Sequence, residues 1–174
     1  MVASKTLARA AFLDGRYVQS YPDYGVERRG APVVAFARIA EQDDDLFVRQ
    51  DIREPHHLLV LDATLLSTSN VMAGLRPGGW VVVNSPDPPE VLGIDAPARV
   101  ATVNASEIAL RHGLGSAAQP VVNTAILGAF VRATGIVSLA DLLAAIAEEV
   151  PAHATATQAA ATEAHDRVLL GVPV

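Results

Sequence analysis

Two short runs, HLLVLD (57–62) and WVVVN (80–84), constrain this chain more than any other feature. Side chains alternate between the faces of a strand, so an unbroken apolar run suits only a strand covered on both sides. That environment belongs to parallel sheets flanked by helices. A third run, ARVATV (98–103), extends the set. Between the first two, residues 64–74 read as a helix and Pro77-Gly78-Gly79 as the turn into the next strand. The fold class expected is α/β: a three-layer α/β/α sandwich with a mostly parallel sheet and a helical C-terminal part.

The remaining pattern fills one domain, residues 1–174. Leu7, Ala8, Ala11 and Phe12 fall at helical spacing within 3–14, and Gly15 follows as a stop. Residues 16–21 read as a strand, Pro22 to Gly25 as a turn, and 31–40 as a strong strand. Gln42 to Asp45 form an acidic turn before a short strand at Leu46 to Val48. No helix separates these early strands, so the sheet is expected to be mixed. Ser106 is a candidate cap for a helix reaching His112. Helices are expected at 120–134, at 138–149 with Ser138 as cap, and at 153–170.

Composition removes several functions. Hydrophobic residues make up 51% and charged residues 18%, which excludes disorder and fits a chain that hides surface against partners. There is no cysteine, so disulfides, thiolate metal sites, iron–sulfur ligation and a cysteine nucleophile are impossible here. A net charge of −6 argues against nucleic-acid binding. No apolar run approaches the roughly 20 residues of a membrane span. Lys5 and Arg9 are not followed by a separate hydrophobic region and cleavage site, so no signal peptide is read and the expected location is cytoplasmic.

The densest polar cluster is Tyr21-Pro22-Asp23-Tyr24-Gly25-Val26-Glu27-Arg28-Arg29-Gly30. Adjacent arginines in a glycine-bounded loop can hold phosphates by charge-assisted hydrogen bonds, or simply form a solvated turn in which Glu27 offsets one arginine. Asn123 and Thr124 lie near the start of an apolar helix. There they either help to receive an anion or merely cap it. His56, His57, His112, His153 and His165 lack the i, i+4 spacing of a zinc helix and read as surface or capping residues. Asp62, ending a buried strand, reads equally as a site residue or a helix cap. No G-x-G-x-x-G, P-loop or G-x-S-x-G motif is present.

Taken in order, YPDYGVERRGAPVVAFARI (21–39), DATLL (62–66), GLRPGGWVVVN (74–84), VNASEIAL (103–110) and VVNTAILGAFVRATGIVSLADLLAAI (121–146) resemble the gamma subunit of the 2-oxoacid:ferredoxin oxidoreductases, the pyruvate:ferredoxin oxidoreductase group. The resemblance implies an enzyme subunit inactive by itself. Its complex decarboxylates a 2-oxoacid oxidatively to acyl-CoA and CO2, with pyruvate the default substrate and aryl, branched-chain or dicarboxylic oxoacids as alternatives. It implies that thiamine diphosphate and [4Fe–4S] clusters sit mainly in alpha, beta and delta subunits, and that electrons pass to ferredoxin or another acceptor. The gamma subunit would close over the complex and position coenzyme A, through Tyr24, Glu27, Arg28, Arg29, Gly30, Asn123 and Thr124. No catalytic or metal-binding residue is assigned to this chain.

One departure from the family pattern stands out. Members usually begin with a strand and a turn resembling G-x-G-G-Q-G, whereas Met1-Val2-Ala3-Ser4 already falls inside that region. The expectation is that residues upstream, or another chain, supply that strand. No phosphate-cradling role is carried over from the absent glycines. A stand-alone Rossmann-like nucleotide-binding protein and a non-catalytic scaffold domain are the rival readings.

Overall fold

The computed structural model describes residues 1–22, 33–41, 52–68, 70–94 and 97–171. Helix α1 (Val2–Leu13) buries Thr6, Leu7, Ala8, Ala10 and Ala11, and Gly15 at φ 83° turns the chain out of it. Strands β1 (Tyr17–Pro22) and β2 (Ala35–Ala40) pair antiparallel, with Val18 opposite Ile39 and Tyr21 opposite Phe36. Then follow β3 (His57–Val60), α2 (Leu65–Thr68), β4 (Trp80–Asn84), β5 (Arg99–Val103) and α3 (Ala105–Arg111). A miniature hairpin of β6 (Gly115–Ser116) and β7 (Gln119–Pro120) leads to α4 (Leu127–Thr134), α5 (Leu139–Glu149), α6 (Ala154–Arg167) and β8 (Leu169–Leu170).

The central sheet has the order β3-β4-β5-β8. Its first three strands are parallel, and β8 closes it antiparallel to β5. The expected mixed α/β sheet is therefore present, but the mixing comes from the last strand. β1 and β2 pair with each other as a separate two-stranded sheet laid on α1. The short strand read at Leu46 to Val48 lies outside the described residues.

The two faces of the sheet are covered unequally. Trp80, Val82, Ala101 and Val103 meet α1, α3, α4, α5 and α6 in the main core. Val60, Val81 and Val83 face the other way, under Leu65, Leu66, Met72, Leu75, Leu92 and Ile94 from α2 and loops. The helix expected at 64–74 shrinks to α2 because its polar residues bond locally. The Ser67 hydroxyl donates to the Thr64 carbonyl, and the Ala73 amide bonds Asn70 in a turn.

Two helix starts differ from expectation. α3 is capped by Asn104, whose side chain accepts the Glu107 amide, and Ser106 lies inside the helix. α4 begins at Leu127 and not at 120, because Pro120 is held in β7 opposite Gly115 and the polar, β-branched run after it favours turns. The final helix also stops short of 170. Val168 is extended, and Leu169–Leu170 join β5 instead. Ser138 caps α5 by accepting the Asp141 amide, as the sequence reading has it.

Candidate functional site

Tyr24, Glu27, Arg28, Arg29 and Gly30 lie outside the described residues. What the structure gives is their mounting. The register of β1 and β2 ends in a mouth where Pro22 stands opposite Ala35. The rings of Tyr21 and Phe36 pair across that mouth, 5.5 Å apart and tilted by 50°. Val18, Ala37 and Ile39 turn inward and pack against the main core. Their burial ties the hairpin to the helical layer.

Asn123 and Thr124 precede α4 rather than capping it. Thr124 is buried, and its hydroxyl donates to Asn123 Oδ1 at 3.1 Å. The amides of Ile126, Leu127 and Gly128 bond the carbonyls of Val122, Thr124 and Ala125. Those three amides bond within the turn itself. Asn123 is half-buried, and its Oδ1 is the acceptor of that pair.

The carboxyl ends of the parallel strands, where open α/β sheets usually bind ligands, carry Asp62, Asn84 and Asn104. Asp62 Oδ1 accepts the Thr64 amide at 2.9 Å and the Thr64 hydroxyl at 2.7 Å. Those bonds hold the Asp62 carboxyl below its ordinary range, which supports its reading as a local cap. Asn84 ties three segments together. It donates to the Leu61 carbonyl at 3.1 Å and to Ser106 Oγ at 3.0 Å, while accepting the Ser106 amide. Sequence reasoning missed both asparagines. The spacing Asn104…Glu107 is the signature of a capping box and outranks Ser106 as the helix start.

At the amino ends of the same strands, His57, Trp80 and Arg99 stand in register. The Trp80 amide donates to His57 Nδ1 at 3.1 Å, and the Arg99 guanidinium lies over the indole, 4.7 Å from its centroid. Phe130 meets the His57 ring edge-on at 6.1 Å. Burial first, then the charges of His56 and Arg99, lower the His57 pKa, so this ring is neutral near pH 7.

The other histidine contacts are structural. His112 Nε2 meets Glu163 at 2.7 Å, and His165 Nδ1 meets Asp166 at 3.0 Å. Arg111 and Arg167 also donate to Glu163, so one carboxylate pins α3 onto α6. Among the described residues no three His, Asp or Glu side chains could share a metal ion. With no cysteine in the chain either, the residues present do not fit an iron–sulfur cluster.

The class defined here is an α/β domain whose mixed sheet is covered by helices on one face and mostly by loops on the other. Residues 1–167 match the family described as pyruvate ferredoxin/flavodoxin oxidoreductase. The chain is 46% identical over 149 residues to the pyruvate/ketoisovalerate oxidoreductases common subunit gamma of Thermococcus litoralis, covering 84% of this chain and 77% of that protein. It is 40% identical over 146 residues to the pyruvate synthase subunit PorC of Methanosarcina barkeri, covering 84% and 77%. The crystal structure of the pyruvate oxidoreductase subunit PORC of Thermotoga maritima superposes with a TM-score of 0.80 at 31% identity, covering 98% of this chain and 90% of that one. A 2-oxoglutarate:ferredoxin oxidoreductase from Magnetococcus marinus shares the fold at 17% identity and a TM-score of 0.65, and there this chain covers 27% of the longer one. The chain belongs to the pyruvate ferredoxin/flavodoxin oxidoreductase family, and within it is a gamma-type subunit.

Proposed function

We propose that this chain serves a complex that decarboxylates a 2-oxoacid, pyruvate by default, in a coenzyme A-dependent oxidation, passing electrons to ferredoxin or flavodoxin. The observation that carries this reading is the family match over residues 1–167, supported by about nine-tenths coverage of the Thermotoga maritima subunit. Alpha-, beta- and delta-type partners hold the thiamine diphosphate and iron–sulfur clusters that supply the redox chemistry. Lacking thiolates, this chain contributes none of it. The relative from Thermococcus litoralis is named a subunit common to pyruvate and ketoisovalerate oxidoreductases. A shared gamma subunit supports placing oxoacid selection on other chains. No helix among the described residues is long and apolar enough to cross a membrane, and the location proposed is cytoplasmic.

This chain's part in catalysis is to hold coenzyme A. Arg28 and Arg29 supply guanidinium forks for phosphate, with Glu27 setting their orientation and Tyr24, Gly30, Asn123 and Thr124 shaping the contact. Losing one charge-assisted hydrogen bond weakens binding by about 1.5–3 kcal/mol, roughly ten- to hundredfold. In the assembled complex, Arg28→Ala and Arg29→Ala are expected to raise the Michaelis constant for coenzyme A and leave that for pyruvate nearly unchanged. Normal coenzyme A use by correctly assembled variants would mean that this loop is structural.

A further inference from the structure

The amino-terminal rim of the central sheet carries a charge pattern opposite to that of the whole chain. Three segments meet there, and backbone contacts weld them into one platform. The Arg76 amide bonds the Pro55 carbonyl at 3.0 Å, the Gly78 amide bonds Pro97 at 2.9 Å, and the Arg99 amide bonds Gly79 at 2.8 Å. Two glycines permit the close approach. A Cβ at Gly74 would sit 1.9 Å from the Arg53 carbonyl oxygen, and one at Gly79 2.3 Å from that of His56. The platform therefore holds its side chains on rigid backbone.

Among the described residues those side chains are Arg53, Arg76, Arg99, His56 and His57, with Glu54 as the acidic group. Their sum is positive on a chain whose net charge is −6. Arg99 donates to the Gly78 carbonyl through Nε at 3.1 Å and Nη2 at 2.9 Å while stacked on Trp80. Arg76 Nη1 lies 2.9 Å from His56 Nε2, and its Nη2 pairs loosely with Glu54 at 3.5 Å. Each guanidinium is thus fixed along one edge and open along another. Fixing an arginine beforehand removes the entropy it would lose on meeting a carboxylate.

We propose that this rim is a docking surface for a carboxylate-rich face of a neighbouring protein subunit, with Arg76 and Arg99 offering their open edges as ion-pair anchors. The proposal rests on the subunit reading above and adds where one partner sits. Both arginines are exposed on a rim, and each is half-used, which suits separate carboxylates on an opposing surface. The position is also opposite the carboxyl ends of the strands, where α/β sheets bind small ligands. A nucleic acid would be repelled by the rest of the chain.

The test is assembly of the complex, followed by size-exclusion chromatography at increasing salt. Arg76→Glu and Arg99→Glu should each weaken association about ten- to hundredfold, because like charges then face each other. Lys5→Glu makes the same charge change on α1 and should assemble normally. Arg99→Gln retains a donor for the Gly78 carbonyl and serves as the fold-preserving variant, with far-ultraviolet circular dichroism reporting the native fold. It should weaken association less than Arg99→Glu but measurably. Unchanged salt dependence in the arginine variants overturns the proposal, as does an equal effect from Lys5→Glu. Saturable perturbation of the His56 and His57 resonances by inorganic phosphate, with assembly unaffected, overturns it in favour of a small-anion site. If the unaltered chain fails to assemble at all, the subunit reading itself falls, and that outcome is distinct from the others.

Discussion

Replacing Gly128 by alanine tests the helical layer most directly. An alanine is normally the better helix residue by about 1 kcal/mol. Here an added Cβ would lie 1.7 Å from the Ala161 carbonyl oxygen and 2.6 Å from its carbon, both backbone atoms of α6. Tolerable C···O contacts begin near about 3.3 Å, so α4 and α6 must part locally by roughly 1.6 Å. A radial gap of about 0.5–1 Å already forfeits a quarter to a half of a dispersion contact. The α6 residues on that seam, Ala160, Ala161 and Ala164, are fully buried and have no long side chains to follow the shift. Overpacking commonly costs about 1–3 kcal/mol. With backbone on the receiving side, a net loss near or above about 3 kcal/mol is expected, a drop of roughly 6–12 °C in Tm at this chain length. Urea unfolding followed through Trp80, the single and buried tryptophan, reads it. Gly135→Ala is the comparison. That glycine has φ 64° with nothing within 4 Å of an added Cβ, so only backbone strain of about 1–2 kcal/mol applies. If Gly128→Ala proves no worse than Gly135→Ala, the close crossing of α4 and α6 is wrong.

Three further outcomes are expected. Because the folded state lowers the His57 pKa, the unfolded chain binds that proton more readily. Stability is full above the unfolded value near about 6.5 and declines as pH falls through the folded one. His57→Asn keeps an acceptor for the Trp80 amide and should flatten the urea midpoint from about pH 7 to about pH 5, so parallel profiles would refute the assignment. At Glu163 burial raises the pKa, but the bonds from Arg167 and His112 and the Arg111 charge lower it further, so its contribution is lost only as pH falls through a depressed value. Glu163→Gln should destabilise by about 1–2 kcal/mol at neutral pH, since its arginine partners are half exposed, and the difference from the parent should vanish in acid. The purified chain alone should oxidise no pyruvate with ferredoxin or an artificial acceptor, and measurable turnover would contradict its role as a non-redox subunit.

The buried strands were legible because burial on both faces leaves a run of apolar residues that little else produces. Trp80 to Val83 show this, whereas β3, at the sheet edge, buries only Val60 fully, and α5 announced itself through Ser138 and a clean helical period. What failed depended on partners far away in sequence. Whether β1 and β2 join the main sheet is settled by pairing, not by their own residues. Leu169 and Leu170 extend a helical pattern until β5 offers them backbone bonds. The His57–Trp80–Arg99 row crosses three strands and exists only once register is set. Asn123 and Thr124 stand just before α4 and not in its first turn, a placement decided by Pro120 pairing in β7. The family resemblance needed none of this geometry, since its five segments lie in order along the chain.

The unequal covering of the sheet has an evolutionary consequence. On the crowded side, helices meet backbone to backbone at Gly128, and an inserted residue in α4 or α6 would rotate every later side chain out of its seat. On the other side, the links between β3, β4 and β5 are mostly loop over a small apolar cluster, with Pro86, Pro88 and Pro89 stiffening one of them. Lengthening such a link adds closure entropy only logarithmically and disturbs no helix packing. Gains and losses of chain length among descendants of this fold should therefore accumulate on its thin side, while the thick side drifts by substitution alone.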